Sequence, residues 1–160
     1  MEWKGKHMAN IFKAYDIRGI YPEDINEEIA ERIGAAYASF LNPKTIAVGR
    51  DMRPHSKPLF NSLVKGLTSC GTNVIDIGLI TTPMLYHAVG TLGLDGGIMI
   101  TASHNGSRYN GFKMTKELAI PLSEKEGIKE IETSVKNGSF LKSETPGTVT
   151  EKDTKSDYVD

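Results

Sequence analysis

Apolar residues recur at helical spacing through Ile25, Ile29, Ile33, Ala36, Tyr37 and Phe40, while Glu27, Glu28 and Glu31 crowd the first turns. The pattern predicts an amphipathic helix with acids at its electropositive start, ending near Asn42-Pro43. Thr45-Ile46-Ala47-Val48-Gly49 is a short continuous apolar run, the form of a strand buried on both faces. A second helix follows, with Ser56 as expected N-cap, Pro58 in its first turn, Leu59, Leu63, Leu67 and Cys70 along one face, and Gly71 as its stop. Asn73 to Ile77 reads as the next strand. Thr82-Pro83 pairs a capping hydroxyl with a helix-starting proline, opening a helix through Leu85, Val89 and Leu92 to Gly93. Gly97 to Thr101 is a further buried strand.

Beyond a polar loop, Gly111 to Met114 and Ala119-Ile120-Pro121 are short extended pieces. Ser123-Glu124-Lys125-Glu126 has the form of a capping box, opening a helix through Ile128, Ile131 and Val135 to Gly138. Strands alternating with helices at this spacing predict an α/β domain, a three-layer α/β/α arrangement around a mostly parallel, mixed sheet. Residues 1–10 show no periodicity and read as a tag remnant or disordered start, 11–140 as the domain, and 141–160, rich in Lys, Ser, Thr, Glu and Asp, as a linker.

Composition narrows the function classes. Nineteen Lys and Arg against twenty Asp and Glu leave a formal charge of −1, so no bulk field draws in nucleic acid or an anionic membrane. The apolar runs are far below the ~18 residues of a membrane span. One cysteine, Cys70, has no internal disulfide partner and fits a small buried helix residue. These features predict a cytoplasmic protein without an anchor. His7, His55 and His87 are scattered and form no metal-ligand spacing.

In an open α/β sheet, ligands bind beyond the carboxyl ends of the strands. The loop after the Gly97–Thr101 strand reads Thr101-Ala102-Ser103-His104-Asn105-Gly106-Ser107-Arg108-Tyr109-Asn110-Gly111-Phe112-Lys113 and is the segment richest in reactive groups. Ser103 can serve there as a nucleophile, with glycines letting backbone N–H groups face an anion. The alternative is a polar turn built on Asn105-Gly106 and Asn110-Gly111. The spacing is neither that of a P-loop nor that of the hydrolase nucleophile elbow. Two further segments carry cations. In Ala14-Tyr15-Asp16-Ile17-Arg18-Gly19 the Arg18 fork can meet a phosphate or simply pair with Asp16, and in Gly49-Arg50-Asp51-Met52-Arg53-Pro54-His55-Ser56 the arginines can hold an anion or only brace Asp51 and the helix start.

Phe12-Lys13-Ala14-Tyr15-Asp16-Ile17-Arg18-Gly19, Thr101-Ala102-Ser103-His104-Asn105 and Tyr109-Asn110-Gly111-Phe112-Lys113, in this order and spacing, resemble the first domain of the α-D-phosphohexomutase superfamily. The form of the first motif is most similar to the phosphomannomutase/phosphoglucomutase branch, and the likeness runs from about Ile11 to Asp160. The resemblance implies the first domain of a four-domain enzyme that moves phosphate between the 1- and 6-positions of a hexose, mannose or glucose, through a hexose 1,6-bisphosphate that also serves as activator.

By the same resemblance Ser103 is the residue that carries phosphate, and Mg²⁺ binds it through that phosphate with most ligands in the second domain. Arg18, Lys113 and His104 match positions around the phosphoserine, and Tyr15, Arg18 and Lys113 match substrate-contacting positions. The partners implied are hexose phosphates and the remaining domains of the polypeptide, without which this chain is expected to be inactive. Gly106-Ser107 stand where the family commonly has proline first, an exchange that gives the loop more backbone freedom. Two other classes compete: a non-catalytic phosphosugar or anion-binding module, and a serine hydrolase using Ser103 with His104, whose adjacent side chains would point apart.

Overall fold

Asn26 accepts a hydrogen bond from the Ile29 backbone N–H at 3.0 Å and so caps helix α1, Glu27–Leu41, whose other end turns into a left-handed Asn42. In this computed structural model, which describes residues 11–159, α1 follows strand β1, Ile17–Ile20. The chain continues through β2 (Thr45–Arg50), α2 (Ser56–Ser69), β3 (Asn73–Leu79), α3 (Thr82–Thr91), β4 (Gly96–Ile100) and β5 (Tyr109–Lys116). After a 3-10 turn at Glu117–Ala119 come α4 (Ile128–Asn137), β6 (Val149–Glu151) and α5 (Lys155–Val159).

The strands form one six-stranded sheet in the order β1-β5-β4-β2-β3-β6. β2 is parallel to β3 and to β4, β3 is parallel to β6, and β5 runs antiparallel to both β4 and β1. Side-chain alternation splits the core into two layers. Ile46, Val48, Ile98, Ile100 and Phe112 pack with α1, α2 and α4 on one face, whereas Ala47, Ile77 and Met99 pack with Leu85, Ala88 and Val89 of α3 on the other. Burying each large apolar side chain contributes roughly 1.5–3 kcal/mol, so these layers dominate the stabilising side of the balance. Among the described residues no helix is long and apolar enough to cross a membrane.

The three-layer α/β fold expected from the sequence is the fold observed, with several local corrections. Arg18, in a segment the sequence does not mark as a strand, lies in β1. Ser56 is the first residue of α2, not its cap; position His55 precedes it without a side-chain cap, and the Ser56 hydroxyl donates to Asp51 at 2.7 Å instead. The cap position of α3 is Thr81, which puts Thr82 and Pro83 inside the helix. Ser123 does accept from the Glu126 N–H, at 3.2 Å, but it closes a turn, and α4 starts only at Ile128. Residues 141–160, expected as linker, contribute β6 to the edge of the sheet and α5 beside α3. The expectation for residues 1–10 concerns residues outside the described range.

Chain order explains where a site can form. From β2 the chain crosses on one face to β3 and then returns on the other face to β4, so β2 sits where the strand order reverses and the loops after β2 and β4 diverge from neighbouring ends. A backbone hydrogen bond of 3.0 Å from the Asp51 N–H to the Ile100 carbonyl ties those two ends together. On the helical side, α1 and α2 approach to backbone contact at two glycines. A Cβ on Gly34 would stand 2.2 Å from the Leu63 carbonyl oxygen, and one on Gly66 would stand 2.0 Å from the Glu31 carbonyl oxygen. Gly66→Ala therefore forces the two helices apart, and urea denaturation should show a loss of about 1–3 kcal/mol, the usual cost of overpacking a close interface. An unchanged midpoint would refute the close approach.

Candidate functional site

Strand β4 delivers the chain to a loop in which Ser103 adopts a left-handed backbone, φ 56°, a conformation costly for a residue with a Cβ. Its N–H is held by the Thr101 hydroxyl at 3.0 Å, while Ser103 and His104 are exposed at the loop crest. The crest opens on a cavity of about 770 Å³ whose lining includes Arg50, Thr82, Ser103, His104, Lys113 and Lys155. Three strand ends build it: the β2 loop, the turn from β3 into α3, and the serine loop after β4.

Three of the five sequence-predicted residues, Ser103, His104 and Lys113, meet in that cavity. Lys113 comes from β5, where it pairs in register with Met99 and so lies on the α3 face of the sheet. Arg18 pairs with Gly111 and lies on the same face, but it lines a neighbouring hollow of about 320 Å³ with Lys13, Asn105 and Tyr109. Its Nη1 donates to Asn105 Oδ1 at 3.4 Å and its Nε lies 3.2 Å from Asp16, so the local ion pair and the reach toward the serine loop coexist. Tyr15 is 69% exposed and lines neither space.

The sequence offers Arg53 as an anion holder or as a brace for Asp51 and the helix start, and the structure gives it a further partner, the serine loop. Its guanidinium is folded under the serine loop, where Nη1 donates to the carbonyls of Gly106 at 2.9 Å and Tyr109 at 3.2 Å. Nη2 donates to those of Ser103 at 3.1 Å and Asn105 at 3.0 Å, and Nε to Asp51 Oδ2 at 3.0 Å. All five donors of the fork are thus used. His55 secures the far limb: Nε2 donates to the Ser107 carbonyl at 3.1 Å, and Nδ1 accepts from Asn110 Nδ2 at 2.7 Å. Asn110 is oriented in turn, because its Oδ1 accepts from the Gly111 N–H at 2.9 Å, and Tyr21 stacks on the His55 ring at 4.7 Å. The loop that Gly106 was expected to loosen is held from below by side chains of the β2 loop.

Asp51 anchors this lattice. Burial pushes its carboxyl up, but hydrogen bonds from the Ser56 hydroxyl, the Arg53 N–H, the Thr101 hydroxyl and the Arg53 guanidinium outweigh burial and hold it below the ordinary carboxylate value. Asp51 is the carboxylate of the cavity lining, and its oxygens are already committed to these donors. Among the described residues no group of three or more His, Cys, Asp or Glu is placed to hold a metal ion. What the chain offers a hard cation at this place is the Ser103 oxygen, a fit that needs added oxygen donors such as a phosphate.

Residues 9–142 match the family model described as phosphoglucomutase/phosphomannomutase, alpha/beta/alpha domain I. A phosphomannomutase from Escherichia coli is 47% identical over 133 residues, covering 83% of this chain and 29% of that protein. One from Klebsiella pneumoniae is 49% identical over 129 residues, 81% of this chain and 82% of that protein. Among solved structures, a phosphoglucomutase/phosphomannomutase family protein from Burkholderia thailandensis superposes with a TM-score of 0.87 at 30% identity, covering 96% of this chain and 35% of that one. The chain thus spans less than a third of the Escherichia coli relative's length.

The depressed Asp51 value carries a pH prediction. Ionised Asp51 stabilises the folded state in full above its unfolded value, about pH 4, and that contribution is lost as pH falls through the lower folded value. Urea denaturation of the wild type and Asp51→Asn from neutral pH downward should give stability curves that converge only in acid below about pH 4. A gap independent of pH would show that the Asp51 charge contributes nothing.

Proposed function

The chain belongs to the phosphoglucomutase/phosphomannomutase family, and on that premise we propose that it is the phosphoryl-carrying first domain of a cytoplasmic phosphohexomutase acting on mannose or glucose phosphates. The observation that carries this reading is the meeting of Ser103, His104 and Lys113 at the strand-end cavity, with Ser103 raised at its crest.

In the proposed cycle Ser103 holds a phosphoryl group as its ester. A hexose-phosphate hydroxyl attacks phosphorus, the bond from phosphorus to Ser103 Oγ breaks, and the proton of the sugar hydroxyl ends, by way of a neighbouring base, on the released Oγ. The bisphosphate then gives its other phosphoryl group back to Ser103 by the reverse exchange, so phosphate and protons balance over the cycle. A phosphoserine bears about −1.5 to −2 charges, and a second phosphate must approach it. The Lys113 ammonium on the α3 face supplies opposite charge at that place, with Arg18 beside it on β1. His104 sits next to the nucleophile, and Tyr15, exposed ahead of β1, is free to meet the sugar. A Mg²⁺ held by the Ser103 phosphate would supply charge neutralisation to the transferring group. In this proposal the carboxylates that complete its shell come from another domain, consistent with Asp51 being committed elsewhere.

Incubation of the complete polypeptide with glucose 1,6-bisphosphate and Mg²⁺, followed by phosphopeptide mapping, should find phosphate on Ser103. Ser103→Ala should abolish mutase activity, and Lys113→Ala should lower kcat/KM by roughly 10²-fold, while this 160-residue chain alone shows no turnover. Full activity of Ser103→Ala, with the serine unmodified in the wild type, would instead favour a phosphosugar-binding module.

A further inference from the structure

The carbonyls of Ser103, Asn105, Gly106 and Tyr109 all point at one guanidinium, which comes from a loop about fifty positions earlier in the chain. Backbone oxygens that converge in this way repel one another unless a cation lies among them, so the loop's curvature depends on Arg53. The Ser103 carbonyl is among the four, and it belongs to the residue forced into the left-handed region. Strain of this kind, of the order of 1–3 kcal/mol, persists only where the surroundings over-determine it. The Ser103 N–H is bound by Thr101 at 3.0 Å and its carbonyl by Arg53 at 3.1 Å, which fixes the direction in which the Cα–Cβ bond leaves the backbone. Arg53 makes no claim on the hydroxyl itself.

We infer that Arg53 is a positioning residue for phosphoryl transfer: it fixes the loop backbone that presents Ser103 at the cavity mouth, in both directions of the exchange. This rests on the reading of Ser103 as the phosphoryl carrier. Positioning of the reacting oxygen acts on the chemical step, whereas the sugar contacts proposed above fall to Tyr15, Arg18 and Lys113, outside the loop that Arg53 holds, so kcat and KM should respond differently. A lysine at this position keeps one positive charge beside Asp51, yet its point-like ammonium cannot reach four carbonyls spread around a planar fork.

The test compares variants of the complete polypeptide, with glucose 1-phosphate as substrate in the presence of glucose 1,6-bisphosphate and Mg²⁺. Arg53→Ala should lower kcat about 10²-fold with KM shifted less than about threefold, and Arg53→Lys should recover only a small part of the loss. Arg32→Ala is the control. Arg32 also caps a backbone carbonyl, that of Val135, with Nε at 3.0 Å, but it ties α1 to α4 away from the cavity. It should lower the melting temperature and leave kcat of the folded enzyme unchanged. Should Arg53→Ala not fold, Arg53→Lys carries the test, with a fall in kcat of at least about tenfold expected.

A folded Arg53 variant with kcat within about twofold of wild type, beside an inactive Ser103→Ala, overturns the positioning role and leaves the serine reading intact. A loss of rate no larger than the loss of folded protein, as in the Arg32 control, overturns it equally. Activity in Ser103→Ala removes the reading on which both rest.

Discussion

A guanidinium presents five N–H donors in one plane and accepts nothing, so enclosing one among protein atoms requires oxygens on all sides. Arg53 finds them in the Asp51 carboxylate and four main-chain carbonyls of the serine loop. Through this one group, Asp51 at the end of β2 governs the shape of a loop that follows β4. The link is short because β2 and β4 are hydrogen-bonded neighbours, with Arg50 opposite Ile100. Removing either charge would leave the other half-enclosed and unpaired, a larger cost than the pair's own attraction.

The sheet order makes this arrangement available. Because the chain leaves β2 for β3 on one side and comes back to β4 on the other, the two strand ends next to the reversal must send their loops apart, and a hollow opens between them. Antiparallel β5 then returns from the serine loop along β4 and carries Lys113 back beneath the crest. One loop excursion therefore presents the hydroxyl and a cation at a common cavity, with the apolar layers around Met99 and Val48 keeping both strand ends fixed.

Much of this was legible in the order of residues. Helical spacing located the four longer helices, the short apolar stretches between them located β2, β3 and β4, and the density of reactive groups located the serine loop. The misreadings share a physical cause, which is that local chemistry has more than one use. Ser56, Ser123 and Thr82 all suit a helix cap, and tertiary partners or a neighbouring residue decided otherwise. Strand β6 consists of three exposed residues with no apolar alternation, so only pairing with β3 reveals it. Asp51 and Arg53, two positions apart, look like a local ion pair, and nothing in the sequence marks the carbonyls that the arginine also reaches.

The Arg53 fork reads main-chain oxygens, which every residue possesses, and no side chain of the serine loop between residues 103 and 109. The loop's shape is thereby separated from its composition. Substitutions at positions 104, 106, 107 and 109 leave the acceptors in place, and a Cβ at Gly106 would meet nothing within 4 Å. Residues displayed to a ligand can drift, and specificity with them, while the contour that presents the serine is kept by a side chain folded beneath the loop. The same separation concentrates mutational vulnerability in the Asp51-Arg53 pair, so a single exchange there does damage that many exchanges in the loop would not.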